Sequence, residues 1–530
     1  MASFKNHFLT LSLRKKIAGV TALLLFTGFL FCLPRQLFTS STSYIIEDKG
    51  RNLLSASIAE DGQWRFPFDN DVPYKFSKCI TTFEDKRFFY HPGVDPIAMS
   101  RAMWQNISGR SIVSGGSTLT MQVIRLSRGS RSRNIFNKLV ETILAIRLEC
   151  TRRKETILAL YASNAPFGSN VVGLDAASWR YFGRSANELS WGETAALAVL
   201  PNAPSLVRPG KNQNELLRKR NSLLDKLASA GIIDSTSAQL AKLEPLPGEP
   251  KPLPQLAPHL LDRFKKDVTA ARKRGEDVST GIATTINMQL QVQVNNILYQ
   301  HHEQLKANQI NNAAAMVVEV ETGNILSYVG NIYEPRDSSL ESHVDVLASK
   351  RSPGSTLKPL LYASLLTEGR MLPQQLVPDI PTQINGYAPE NFDLGYDGAV
   401  PANRALARSL NIPAVKMLQQ YKYQRFYNVL QQCGFTTLNH PADFYGMSLI
   451  LGGCEISPYE LCGVYTSMAR MYLHQKQNKG KWNADDWFMP GYSSERRAVS
   501  GEQQTPNNKQ QATNPIIRLY FALAHLQCHE

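Results

Sequence analysis

Two groups of residues in the 530-residue chain are equipped for chemistry. The first is Glu84-Asp85 followed by Phe88, His91 and Gly93, and then by Gly115-Gly116-Ser117-Thr118-Leu119-Thr120-Met121-Gln122. An acid pair with an aromatic residue one turn on and a histidine two turns on predicts a short helix with one ionisable face. The stretch after it, rich in glycine and hydroxyls, is too polar and too flexible for a core. Together they describe a carboxylate base opposite a loop that hydrogen-bonds a polar, phosphorylated or glycosidic, substrate. The second group is Ser352-Pro353-Gly354-Ser355-Thr356-Leu357-Lys358-Pro359. Pro353-Gly354 makes a turn that opens a helix at Ser355, and Lys358 falls one turn later on the same face. A neutral amine there can take the serine proton, and the helix N-terminus favours negative charge developing beside it.

The elements that must position these groups can be read from periodicity. Residues 76–235 read as predominantly helical: 135–148 and 155–161 carry apolar residues at helical spacing, and 193–200 is rich in alanine and leucine. A proline cluster at 244–258 cannot continue a helix and predicts a stiff linker over 236–280. Beyond it, 282–286 and 314–320 read as strands, and Thr322-Gly323-Asn324 turns into 325–330 as a hairpin. The part from 281 to 530 is therefore mixed α and β, with loop-like composition over 474–514.

Composition is that of a globular chain, 43% hydrophobic and 19% charged. A formal net charge of +14 calls for an acidic partner: nucleic acid, an anionic membrane surface or a pyrophosphate. The N-terminus decides among them. Residues 17–34 carry no charge and follow Arg14-Lys15-Lys16. Such a run, at about 1.5 Å per residue, reaches roughly 27 Å, close to the hydrocarbon thickness of a bilayer. The basic flank keeps that end inside and the rest of the chain outside, so a signal anchor is expected, with no nucleic-acid role. The expected order is then a tail and anchor at 1–39, an extended connector at 40–75, a helical domain at 76–235, the linker, and a second domain from 281. Seven scattered cysteines without a Cys-x-x-Cys pair argue against a zinc site or a disulfide framework.

The first group resembles the opening signatures of the peptidoglycan glycosyltransferases (glycosyltransferase family 51), E-D-x-x-F-x-x-H-x-G and G-x-S-T-[IL]-T-x-Q. Lys138 and Glu141 sit where that family has R-K-x-x-E, with Asn137 in place of the arginine. Lys154, Ile157, Leu158 and Tyr161 match K-x-x-I-L-x-x-Y-x-N, with Ser163 where the asparagine stands. Lys219-Arg220-Asn221 resembles the last signature, and 164–168 with 176–179 resembles the 1C type of class A penicillin-binding protein. The second group resembles the penicillin-binding transpeptidases, supported by Ser409-Leu410-Asn411 and by 451–458. Their third element, Lys-Thr-Gly or Lys-Ser-Gly, does not occur after Asn411.

The resemblance implies a fold of an N-terminal transmembrane helix, a mainly α, lysozyme-like glycosyltransferase domain and an incomplete α/β, serine β-lactamase-like transpeptidase domain. It implies polymerisation of lipid II with inversion at the anomeric carbon and release of undecaprenyl pyrophosphate. Glu84 would be the base and Glu141 the second carboxylate. Asp85, Phe88, His91, Ser117, Thr118, Thr120, Gln122, Lys138, Lys154 and Arg220 would bind substrate, the three cations facing pyrophosphate. In the second domain Ser355 would be the nucleophile, with Lys358, Ser409 and Asn411 around it and β-lactams as its ligands, its turnover being in question without the third element. Partners would be lipid II, the glycan strand, the cytoplasmic membrane and wall-synthesis proteins; a divalent cation, Mg2+ or Mn2+, is the one cofactor left open. Taken singly, Lys138, Lys154 and Glu141 read as ordinary solvated helix residues and His91 as a structural histidine. A non-catalytic glycan-binding scaffold and a penicillin-acylated sensor are the alternative readings.

Overall fold

The computed structural model describes residues 13–108, 116–129, 134–202, 210, 212–337, 340–384, 386–478 and 483–493. Gly115, Cys528 and most of the loop-like stretch after 478 lie outside them. The chain divides into two compact units, one of Met1–Ile45, Ser55–Pro254 and Ser279–Gly281, the other of Ile46–Leu54, Gln255–Val278 and Ile282–Glu530.

The first unit is mainly helical, as periodicity predicts. Its centre is the helix Trp191–Val199, opened by a capping box in which Ser190 and Glu193 satisfy each other's backbone N–H groups. Seven of its residues are buried, Gly192 and Thr194–Val199, because the helix is apolar on nearly every side. It packs against the helices Tyr74–Glu84, Gln213–Ser229 and Ser235–Leu243. The helix Leu119–Ser127 packs in turn on Ile135–Glu149 and Lys154–Asn164. Thr118 caps it by accepting the N–H of Met121 at 3.2 Å. Leu119, Thr120, Met121, Val123 and Ile124 are buried, which leaves Gln122 and Arg125 on its open side, one turn apart.

Three expectations are corrected along the chain. The helix expected to run through Glu84, Phe88 and His91 ends at Glu84; Asp85 leaves it with φ −154°, and 86–90 form turns. The connector range 40–75 holds the strands Tyr44–Glu47 and Leu53–Ser57. The linker range 236–280 holds most of the helix Ser235–Leu243 and all of Pro258–Lys273, which opens on its proline, while the prolines at 245–254 stay outside both. Among the described residues no helix is long and apolar enough to cross a membrane. The helix Leu13–Phe31 includes Arg14 in its first turn, and its Leu23, Leu24, Leu25, Phe26 and Phe31 are exposed. It lies beside Ile135–Glu149, where Arg147 donates to Leu30 O at 2.8 Å.

The second unit is mixed. Ala315–Val318 and Ile325–Val329 form the expected antiparallel hairpin, with a register irregularity between Val317 and Val318. A second antiparallel pair joins Leu376–Asp379 to Gly398–Pro401, with Leu376 opposite Pro401 and Asp379 opposite Gly398. Its core gathers Leu360, Leu361, Tyr362, Ala363 and Leu365 of the helix Lys358–Thr367 around Val415 and Leu418 of Asn411–Tyr421. Among the described residues all six cysteines are free, with Cys79, Cys433 and Cys454 buried.

Candidate active sites

In the first unit one helix face collects both carboxylates. Gln122 donates from Nε2 to Glu84 Oε2 at 2.9 Å, and Arg125, one turn on, forms a forked pair with Glu141. The guanidinium Nη2 lies 2.9 Å from Glu141 Oε2 and Nε lies 3.2 Å from Oε1. Arg125 also donates to Ser117 Oγ at 3.3 Å, which ties the hydroxyl loop to the same face. Glu84 takes a second donor, Asn202 Nδ2, at 3.0 Å on Oε1. Its carboxylate is half-buried at the last residue of a helix and held by two neutral amides. It is thus oriented and open to a ligand's proton, as a general base requires. Glu141 is more enclosed, at 8% exposure, and its charge is matched by Arg125.

Three of these groups escaped the sequence. Arg125 and Asn202 lie outside the motifs as read; Pro201-Asn202, just past the buried helix, was the one available turn signal. Tyr161 matched a motif but was given no role. Its hydroxyl is buried without a hydrogen-bond partner among the described residues, and burial first, then the charge of Glu84, push it well above the usual phenol range.

Several expected substrate ligands turn inward instead. Asp85 receives His91 Nε2 at 2.9 Å and the N–H of Leu119 at 3.0 Å. His91 Nδ1 accepts from the N–H of Gly93, which leaves Nε2 to face Asp85. Gly93 has φ +94°, and a Cβ there would sit 2.8 Å from Ala145 O, which explains the glycine at the end of the motif. Thr118 donates to Gly93 O at 2.6 Å. These residues therefore lock the His91–Gly93 turn to the loop before Leu119, holding Glu84 opposite Gln122. Phe88 is fully buried and lies under the ammonium of Lys154, 4.5 Å from its ring centre. Lys154 donates to His91 O at 2.8 Å and to Glu149 at 2.7 Å, and Glu149 also accepts from the buried Thr120 at 2.6 Å. A cation so engaged has little left for a pyrophosphate.

Arg220 is corrected outright. It is fully buried and donates to Lys242 O at 2.6 Å and Glu244 O at 2.7 Å. It caps the C-terminal carbonyls of Ser235–Leu243, where a cation meets the negative end of the helix dipole. Of the three expected cations only Lys138 is exposed, one turn before Glu141. Ser117 and Gln122 stay half-exposed beside the carboxylates. Among the described residues no three His, Cys, Asp or Glu side chains are grouped to hold a metal ion.

In the second unit Gly354–Leu357 is a 3-10 turn that runs into the helix Lys358–Thr367. At three residues per turn this stacks Ser355 over Lys358. Ser355 is exposed, whereas Lys358 is 4% exposed. Lys358 Nζ donates to Ser409 O at 2.6 Å and Asn411 Oδ1 at 2.7 Å, and lies 3.2 Å from Ser409 Oγ. Burial pushes its amine down to about 8, so about a tenth of it is neutral at pH 7. Ser409 has φ +55°, a costly conformation for a serine that swings its carbonyl onto the lysine. The segment 451–458 braces the turn that carries Ser355. Gly452 O accepts from Ser352 Oγ at 2.8 Å, and Arg351 pairs with Ile456 through its backbone. Lys358, Ser409 and Asn411 are thus brought together as predicted, and Ser355 stands one turn away.

Comparison with known proteins bears on both sites. A family described as Transglycosylase matches residues 52–228, and one described as Penicillin binding protein transpeptidase domain matches residues 313–515. Penicillin-binding protein 1C of Escherichia coli (strain K12) is 36% identical over 427 residues, covering 80% of this chain and 53% of the relative. Penicillin-binding protein 1F of Bacillus subtilis (strain 168) is 27% identical over 456 residues, 84% of this chain and 62% of the relative. Penicillin-binding protein 1B of Haemophilus influenzae is 29% identical over 441 residues, 78% and 55% respectively. The chain spans between 53% and 62% of the length of these curated relatives. A helical domain that matches the Transglycosylase family is thus followed by one that matches the penicillin-binding transpeptidase family, and the chain is similar to penicillin-binding proteins that carry the names 1C, 1F and 1B.

Proposed function

We propose that the first domain polymerises lipid II into glycan strands. The observation that carries this reading is the single face of Leu119–Ser127, which sets Gln122 on Glu84 and Arg125 on Glu141. Glu84 takes the proton of the acceptor sugar hydroxyl as that oxygen bonds to the donor's anomeric carbon. The bond from that carbon to the pyrophosphate oxygen breaks, and the electron pair leaves with the lipid pyrophosphate. Arg125, oriented by Glu141 and aided by the exposed Lys138, meets the charge that develops there. A Mg2+ or Mn2+ ion, where one takes part, would be held largely by the substrate's own phosphate oxygens, since among the described residues no three His, Cys, Asp or Glu side chains are grouped for it.

The substrate's lipid tail agrees with the apolar side chains left open on this domain. Leu23 to Phe26 of the first helix and Ile135, Phe136, Leu139 and Ile143 of the helix beside it are exposed. A lipid surface covers such side chains at a gain of about 25 cal/mol per Å². Anchorage in the cytoplasmic membrane, with the domains outside it, follows from the basic flank ahead of this run.

The second domain is read as an acylation site, in which the neutral Lys358 amine takes the Ser355 proton as Oγ attacks an acyl donor such as a β-lactam. Purified full-length protein mixed with lipid II in detergent micelles tests the main reading. Glycan chains should appear and should vanish with a phosphoglycolipid transition-state mimic. Binding of glycan without any polymer would instead favour a scaffold, and labelling by penicillin without polymer a sensor.

A further inference from the structure

We infer that Asp379 and Asn391, which belong to none of the motifs, are positioning residues that set the direction of the Asn411 carboxamide and so keep it an acceptor for Lys358. The inference rests on reading Ser355, Lys358, Ser409 and Asn411 as an acylation site. Both residues are buried, at 1% and 3% exposure, where an unmatched polar group would be costly. Asp379 ends the strand Leu376–Asp379, and Asn391 lies in the loop between that strand and Gly398–Pro401.

The argument runs through groups that can only accept. Asp379 Oδ1 takes Asn391 Nδ2 at 2.7 Å, and its Oδ2 takes the N–H of Asp397 at 3.0 Å. Asn391 Nδ2 gives its other proton to Gly395 O at 2.9 Å. A carboxylate and a carbonyl both demand donors, so Asn391 has one possible orientation there. Its Oδ1 must face the other way, where it accepts the N–H groups of Asn411 at 2.9 Å and Ile412 at 3.3 Å. These belong to the first turn of Asn411–Tyr421 and have no partner within their own helix. The preceding carbonyl, Glu390 O, accepts Asn411 Nδ2 at 2.8 Å. That carbonyl also demands a donor, so Asn411 must present Oδ1 to Lys358, at 2.7 Å. One carboxylate on a strand end thus fixes, through two amides, what the catalytic amine meets.

With Asp379→Asn, position 379 can donate as well as accept, and Asn391 is free to flip. Flipped, its NH2 would confront two backbone N–H groups, the loop at 390–391 would withdraw, and Asn411 would lose the carbonyl that orients it. A role confined to capping the helix would change stability and leave Lys358 alone. The lysine's titration separates the two. Burial is the cause of its depression, with no neighbouring charge contributing, and the oxygens of Ser409 and Asn411 favour its charged form. Losing one of them lowers the midpoint further.

The test follows Lys358 in full-length protein with 13Cε-labelled lysine, assigned through Lys358→Arg. The wild-type midpoint should lie near 8. It should fall by about half a unit or more in Asp379→Asn and Asn391→Ala, as expected for a lost charge-assisted bond. In parallel, acylation by a fluorescent penicillin should slow about tenfold in the single variants. Where Asn391→Ala does not fold, Asn391→Asp alone carries the test, since it keeps the acceptors for the helix and opposes two carboxylates. An unchanged midpoint in folded single variants overturns the inference. A shifted midpoint in a protein that penicillin never labels upholds the positioning and rejects Ser355 as the nucleophile.

Discussion

Replacing Glu84 by glutamine tests the assignment of the base with little disturbance of shape. The carboxylate accepts one bond on each oxygen, from Gln122 at 2.9 Å and Asn202 at 3.0 Å. A glutamine retains one acceptor and turns an NH2 toward the other donor, which either amide neighbour can accommodate by flipping its own carboxamide. The structural loss is the difference between two charge-assisted bonds and two neutral ones, about 1–2 kcal/mol. For a domain of this size that lowers the melting temperature by about 2–8 °C and leaves it folded at 25 °C. The chemical loss is far larger. A neutral amide cannot take the acceptor's proton, and a positioned base contributes about 10²–10⁴ in rate. Single-turnover polymerisation of fluorescent lipid II should therefore drop at least a hundredfold, with circular dichroism unchanged and lipid II still bound. Polymerisation within tenfold of wild type would refute both the base and the reasoning that Gln122 and Asn202 orient it.

Two further substitutions separate support from chemistry. Arg220→Lys should cost about 2–4 kcal/mol, because a single ammonium cannot reach both Lys242 O and Glu244 O. Its KM for lipid II should stay unchanged, and a raised KM in a fully stable variant would return Arg220 to the substrate. Gly452→Ala should slow penicillin acylation more than tenfold. Its φ is +93°, and the added Cβ would lie 2.5 Å from Ser352 Oγ and 2.7 Å from Gly354 N, displacing the turn that carries Ser355. Acylation at the wild-type rate would show that turn to be pliable.

Much of the helical domain was legible in the sequence because burial imposes period. The alanine- and leucine-rich stretch at 193–200 reads as helical, and it is found in Trp191–Val199, buried on nearly every side. The pair Ser355 and Lys358 was legible for a similar reason, since a separation of three fixes one turn whichever helix type forms. The linker was misjudged where prolines masked what flanks them: Pro258 starts a helix as readily as other prolines prevent one. The run from Glu84 to His91 departs from helical spacing because that spacing does not reveal that Asp85 takes the His91 imidazole and a backbone N–H instead of another helical turn.

By itself the sequence determined which residues carry reactive groups, and the local geometry of those within one turn of each other, as with Ser355 one turn ahead of Lys358. Tertiary structure alone decided their partners. Arg125 rather than a lysine meets Glu141, Asn202 reaches Glu84 from 118 residues away, and Arg220 serves a helix end instead of a phosphate. The physical reason lies in range. Periodicity follows from bonds within about four residues, whereas a charge or amide takes whatever acceptor the packing of distant helices brings within about 3 Å.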